Sequence, residues 1–347
     1  MKKHYNIPIF ISHFGCPNAC VFCNQKKING RETDVTLEDL ENIIQEYLKI
    51  LPEDSCKEVA FFGGTFTGIS MEKQKEYLEG VKKYIDRGLV QGIRLSTRPD
   101  YINKEVLDQL KKYHVTTIEL GVQSFDENVL KRSARYYPIE MVYKACEMIK
   151  SYNIDLGIQL MPGLPGSTFE TDFESAKEAV KIGPQNMRVY PTLIIKDTEM
   201  ERMYNRGEYE VFSLEEAIKR CRKICSLLEI SGINIIRVGL QPSDDLRNGG
   251  VAVEGAFHPA FRELVDGEIY FDFLKKIKNK EKILEIEINE KNVSKIIGIK
   301  KKNAIRFGKF QLKINNELEI SEIIVNGKKY NREDILREEL SGCIWIE

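Results

Sequence analysis

Glu58-Val59-Ala60-Phe61-Phe62-Gly63-Gly64-Thr65 is the stretch that decides the architecture. An apolar run of strand length stops at two glycines, and a helical pattern opens soon after, behind Ser70, with Gly88 placed to close it. Runs rich in Val, Ile, Leu and Phe and bounded by Gly or Pro are what a strand buried on both faces of a parallel sheet requires. The unit recurs. Runs at 7–12, 92–96, 116–122, 155–161 and 187–195 alternate with helical patterns. Those patterns follow the candidate N-caps Thr36 and Asn103, or carry apolar residues at Met141, Ala145, Met148 and Ile149 and across 169–182. At least six β-then-α units predict an α/β chain with a parallel sheet wrapped by helices, either a barrel or an open doubly wound sheet. In both arrangements ligands gather at the carboxyl ends of the strands.

Those ends carry the chemistry. The first run is followed by Cys16-Pro17-Asn18-Ala19-Cys20-Val21-Phe22-Cys23, a C-x3-C-x2-C knot. Three close thiolates can hold three irons of a cubane cluster and leave the fourth open to a small molecule. A zinc site with His13 as fourth ligand is the rival reading, and a disulfide pair a third. The later runs end in Gly63-Gly64-Thr65, Ser96-Thr97-Arg98-Pro99-Asp100, Gln123-Ser124, Met161-Pro162-Gly163-Leu164-Pro165-Gly166 and Tyr190-Pro191-Thr192. Polar or glycine-rich residues at all six ends describe an active-site rim.

Beyond the sixth unit a helix follows Ser213, and 234–240 is strand-like. Residues 241–266, rich in Gly, Pro and Asp, read as loop. From about Lys275 the pattern turns to β alternation at 282–288, 296–300, 304–314 and 317–325, and Asn326-Gly327 signals a two-residue hairpin. Between 275 and 313 there are 13 Lys or Arg against 4 Glu. Such a stripe can hold RNA through its phosphates, or simply keep edge strands apart in solvent.

The balance of 52 basic and 53 acidic residues argues against a nucleic-acid binder over the whole surface. No apolar run approaches the ~20 residues of a membrane helix. Eight scattered cysteines and no signal-like opening point to a cytoplasmic protein with reduced thiols. Cys221 and Cys225 share an apolar stripe with Ile218 and Leu228 and read as core thiols, whereas Cys56, Cys146 and Cys343 lack sequence partners.

The knot, the aromatic Phe22 before its last cysteine, and Gly63-Gly64-Thr65 at the second strand end together resemble the radical S-adenosylmethionine (SAM) superfamily over roughly residues 5–265. The resemblance implies a partial (β/α)6 TIM-like barrel, residues 1–266, with a small C-terminal β-rich domain, 267–347. It implies a [4Fe-4S] cluster on Cys16, Cys20 and Cys23, whose open iron chelates SAM. A one-electron donor of flavodoxin or ferredoxin type would drive reductive cleavage to a 5′-deoxyadenosyl radical, which abstracts a substrate hydrogen. Phe22, Gly63, Gly64, Thr65, Ser96, Arg98, Gln123, Arg135 and Gln159 would bind SAM. Gln159 departs from the acid that anaerobic coproporphyrinogen oxidases carry there. The segments 95–101, 161–167, 188–198 and 255–261 resemble the Elongator catalytic subunit, which modifies the transfer-RNA wobble uridine. By that likeness Tyr190 and Lys196 face the substrate, and His258 is a structural hydrogen-bonding residue or a proton-transfer group. The tail of roughly 70 residues is short for the acetyltransferase domain of that subunit. RNA is the leading substrate class, and a small molecule such as a porphyrinogen the alternative.

Overall fold

Ile7, Ile9, Val59, Ile93, Leu95, Ile118, Leu120 and Leu156 are fully buried, and they lie on strands covered from both sides. In the computed structural model, which describes residues 3–11, 16, 20–24, 35–240, 250–278 and 283–341, these strands form one sheet. Its members are β1 (His4–Phe10), β2 (Cys56–Phe62), β3 (Gly92–Thr97), β4 (Val115–Gln123), β5 (Asp155–Leu160), β6 (Asn186–Val189) and, after a short β7 (Leu193–Ile195), β8 (Asn234–Val238). All pairings are parallel and run in chain order, so the sheet curls as a partial barrel of seven strands. Helices cover its outer face. Their starts are set where the side chains allow: Thr36, Ser70, Asn103, Thr168 and Ser213 each accept a hydrogen bond from the backbone of the first turn.

The sixth apolar run does not form one strand. Pro191 cannot donate to a ladder, and the backbone N–H and hydroxyl of Thr192 both turn to the carbonyl of Pro162. The chain therefore leaves the sheet at Val189, and β7 pairs antiparallel with β9 (Ala252–Gly255). The loop expected over 241–266 also gives way, in its described part, to β9 and to the start of a helix at Phe261–Lys278. That helix buries Phe261, Val265, Ile269, Tyr270, Phe271, Phe273 and Leu274, residues distributed around its circumference rather than along one stripe.

The C-terminal module contains β10 (Leu284–Ile288), β11 (Phe310–Ile314), β12 (Glu322–Val325) and β13 (Lys328–Asn331) in the order β11-β10-β12-β13. The β12–β13 hairpin turns at Asn326 (φ 50°) and Gly327 (φ 79°), as the Asn-Gly pair requires. The strands expected at 296–300 and early in 304–314 are instead short helices, Val293–Ile297 and Lys302–Phe307, forming the crossover between the parallel strands β10 and β11. A helix at Arg332–Leu340, capped by Asn331, packs Ile335, Leu336 and Leu340 into the same hydrophobic cluster as the barrel core.

Candidate active site

The carboxyl ends of β1 to β4 bring the described part of the cysteine knot against two arginines. Cys20 is buried, and its Sγ accepts from Nη1 of Arg135 at 3.2 Å and from Nη1 of Arg98 at 3.5 Å. Arg135 also donates Nε to the Tyr137 hydroxyl at 2.9 Å and Nη2 to the carbonyl of Gly121. Arg98 presents its Nε and Nη2 fork to Asp100 at 2.9 and 2.7 Å, so the edge suited to a carboxylate is filled from within the chain. Both guanidiniums lie over the Tyr137 ring. Two buried positive charges thus converge on one sulfur.

The other cysteines are held nearby. Cys16 Sγ lies 3.2 Å from the Thr65 hydroxyl, just past the Gly63 turn, where φ is 96° and a side chain would be strained. The Cys23 N–H bonds back to the Cys20 carbonyl at 3.0 Å. The Val21 N–H bonds to Ser133, the Met200 N–H to the Val21 carbonyl, and the Asn24 amide to the Lys196 carbonyl. Phe22 packs on a small apolar cluster with Val21, Ile194 and Met200. His13, Cys343 and the intervening Pro17, Asn18 and Ala19 lie outside the described residues.

Gln123 sits at φ 75° at the end of β4 and its Oε1 accepts from the Gln159 amide of β5 at 3.0 Å, so these two candidates meet. Ser96 stands on β3 opposite Glu119. Tyr190 accepts from Arg188 at 3.2 Å. Lys196 closes β7, its backbone N–H on the Val251 carbonyl. His258 Nδ1 accepts from the Ala260 N–H at 3.1 Å just before the helix Phe261–Lys278, a local backbone-capping contact.

Beneath the rim runs a charged ladder that the motif reading missed. Arg94 bridges Glu58 and Glu119, and Glu119 continues to Arg188. Burial alone pushes the Glu58 carboxyl up, but hydrogen bonds from His4 and Thr116 and the charge of Arg94 outweigh it and hold the pKa at about 2. The available signal was four charged residues inside otherwise apolar strand runs. A second cluster anchors the loop after β5. Asp172 accepts from the Gly163 N–H and from Arg220, the Tyr209 hydroxyl donates to the Gly163 carbonyl, and the Phe212 ring fills the space beside Gly163.

Among the described residues no three thiol, imidazole or carboxylate groups close on one point. The donor set nonetheless suits an iron–sulfur cluster. Cys16, Cys20 and Cys23 bring three thiols to these strand ends, and cationic donors face the sulfur of Cys20, where ligating sulfur carries negative charge. Cys221 and Cys225 do not share this setting: burial drives both thiols upward, Cys225 to about 12, as apolar core residues.

Residues 10–179 match the Radical SAM superfamily and residues 184–270 the radical SAM C-terminal domain. The chain belongs to the radical SAM superfamily of enzymes. Its relatives include a tRNA uridine(34) acetyltransferase of Methanocaldococcus infernus, 30% identical over 255 residues, covering 61% of this chain and 47% of that protein. Human Elongator complex protein 3 is 28% identical over 204 residues, covering 53% and 37%. An uncharacterized protein of Methanocaldococcus jannaschii is 29% identical, covering 66% and 72%. The chain therefore spans about half the length, or less, of the acetyltransferase and Elongator relatives. In structure it is similar to the archaeal Elp3 of M. infernus lacking its N-terminal residues, with TM-score 0.62 and 24% identity over 80% of this chain and 64% of that one, a likeness of fold. No helix among the described residues is long and apolar enough to cross a membrane.

Proposed function

We propose that this chain is an oxygen-sensitive radical SAM enzyme whose substrate is RNA, with transfer RNA the leading candidate. The observation that carries the proposal is the sulfur of Cys20 set between the guanidiniums of Arg98 and Arg135 at the strand ends. Cys16, Cys20 and Cys23 would hold a [4Fe-4S] cluster. When bound, the cluster supplies the electron that cleaves SAM to a 5′-deoxyadenosyl radical, drawn from a donor of flavodoxin or ferredoxin type. The chain's own residues bind and orient. Gly63, Gly64 and Thr65 offer backbone groups where a side chain would obstruct. Ser96, Gln123 and Gln159 would offer polar contacts for SAM, and Phe22 an apolar one. Arg98 and Arg135 place positive charge at the sulfur, and Tyr190 and Lys196 lie toward the substrate. RNA is favoured because relatives of this chain are named as tRNA uridine(34) acetyltransferases. The basic segment 275–313 supplies cations for a polyanion.

Anaerobic reconstitution followed by dithionite reduction should yield 5′-deoxyadenosine from SAM, and RNA from a deletion strain should lack one modified nucleoside by mass spectrometry. Stoichiometric zinc without iron or sulfide would defeat the assignment. A complete nucleoside set with accumulated tetrapyrrole would redirect the substrate to a porphyrinogen.

A further inference from the structure

The crossover between β10 and β11 is strongly basic and lies beyond both family matches, the second of which ends at residue 270. Residues 291–313 contain eight Lys or Arg and no acid. Three of those residues sit in an unusual local structure. Lys300 (φ 51°) and Lys301 (φ 61°) are consecutive residues in the left-handed region, which costs an L residue energy and is adopted only where the surroundings impose it. They form the corner that leads through Lys302 into the helix Lys302–Phe307.

The surroundings that impose it are rigid. Gly298 turns the chain at φ 76°, and a Cβ there would meet the Asn303 backbone at 2.9 Å. The Lys301 N–H bonds to the Gly298 carbonyl at 2.9 Å. Buried Asn303 donates to the Gly267 carbonyl at 2.9 Å. The Phe307 ring rests on Phe271 at 4.6 Å, and the Arg306 guanidinium covers the other ring at 3.4 Å. The corner is thus fastened to the helix Phe261–Lys278 from both ends.

Six cations of the wider segment already have acidic or carbonyl partners: Lys276 has Glu338, Lys278 the Phe307 carbonyl, Lys295 Asp266, Lys302 and Arg306 Glu268, and Lys313 Glu287. Lys275, Lys291, Lys300, Lys301 and Lys309 are exposed and carry no such partner among the described residues, and of these Lys300 and Lys301 form the corner itself. Lys309 follows the same short helix at its other end, and Ile305, 76% exposed, stands on the helix between them. A merely solvated lysine needs no fixed backbone. Lysines whose Cα positions are fixed around one rigid corner suit a ligand with repeated negative charge, because less backbone freedom is lost on binding.

We infer that Lys300, Lys301 and Lys309 form a preorganised phosphate-backbone contact for RNA, and that the C-terminal module uses it to seat the polynucleotide. This inference rests on the reading of the substrate as RNA and narrows the 275–313 segment to three residues. The contact is with phosphates, so it positions the RNA without reading its sequence.

The test uses the full chain and a fluorescein-labelled tRNA transcript, with affinity measured from 50 to 300 mM salt. The variant Lys300→Gln/Lys301→Gln/Lys309→Gln should lower the salt slope by about three, near one per lost phosphate contact, and weaken binding at least tenfold at low salt. A control variant, Lys49→Gln/Lys144→Gln/Lys219→Gln, removes equal charge from the barrel helices and should change the slope by less than about one. Both should melt like the parent by circular dichroism. Equal losses in both variants would reduce the effect to overall charge and overturn the inference. So would an unchanged slope in the first variant, or loss of binding to phosphatidylserine vesicles with RNA binding intact. SAM cleavage in the absence of RNA should be the same in all three proteins. If the parent fails to cleave SAM at all, it is the proposed function that fails, whatever the RNA titrations show.

Discussion

Nη1 of Arg135 lies 3.2 Å from Sγ of Cys20, a contact that joins the loop after the helix Glu127–Arg132 to the cysteine knot across 115 residues of sequence. The same guanidinium is tied to Tyr137 and Gly121, so its position does not depend on the sulfur. It is a fixed positive charge around which the knot is arranged.

Replacing Arg135 by Gln removes that charge and leaves a buried hydroxyl and carbonyl without their donor. The expected loss of stability is about 2–3 kcal/mol. Iron bound per chain after anaerobic reconstitution should drop, and the electron paramagnetic resonance signal of the reduced protein should shift. Parent-like iron content together with a parent-like spectrum would remove Arg135 from the site.

Cys20→Ala should abolish 5′-deoxyadenosine formation while the far-ultraviolet circular dichroism stays that of the parent. Continued production of 5′-deoxyadenosine in this variant would be incompatible with ligation by Cys20.

Stability should depend on the ladder below the rim. The Glu58 carboxyl titrates at about 2 in the fold against 4.5 in its ordinary state. A depressed carboxylate contributes stability that is present above the unfolded value and lost as pH falls through the folded one. Unfolding free energy should therefore decrease between about pH 5 and pH 2, with up to about 3 kcal/mol traceable to Glu58. In Glu58→Gln that part of the slope should vanish and stability at pH 7 should already be lower. Urea titrations across this range provide the check, and an identical slope in the variant would refute the role given to the ladder.

Gly163→Ala places a Cβ 2.6 Å from the Phe212 ring at a backbone φ of 94°. The expected cost is about 1–3 kcal/mol. Adding Phe212→Leu should recover only part of it, because the dihedral strain stays. Full recovery in the double variant would mean that contact, not backbone conformation, is what demands glycine.

Cys221→Ala in the barrel-facing helix should cost about 1 kcal/mol by thermal melting and leave bound iron unchanged. Loss of iron in proportion would instead assign this thiol to a second cluster.

The parts of the fold that were legible are those written in local chemistry. Buried parallel strands announce themselves as continuous apolar runs, and Thr36, Ser70, Asn103 and Ser213 mark helix starts because their side chains bond the first turn. The knot marks Cys20, and the family resemblance marks Arg98 and Arg135, which the structure brings together with it; Asp100 stands in the quoted strand-end segment without a role of its own, and Tyr137, which also holds Arg135, carries no mark. The helix Phe261–Lys278 was hidden because it is enclosed on several sides and shows no single stripe. The crossover was misread because Ile296, Ile297 and Ile299 favour strand, whereas Gly298 and the anchoring of Asn303 impose a turn between helices.

The departure of the chain from the sheet at Pro191 has a mechanical result. The stretch from β7 into the helix Glu199–Asn205 adds two hydrogen bonds to the cysteine segment, the Lys196 carbonyl on Asn24 and the Met200 amide on Val21, beside the Val21 bond to Ser133. The cysteine loop is therefore tied to the stretch that leaves the sheet as well as to the strand ends, so a change that loosened that stretch would also loosen the thiols.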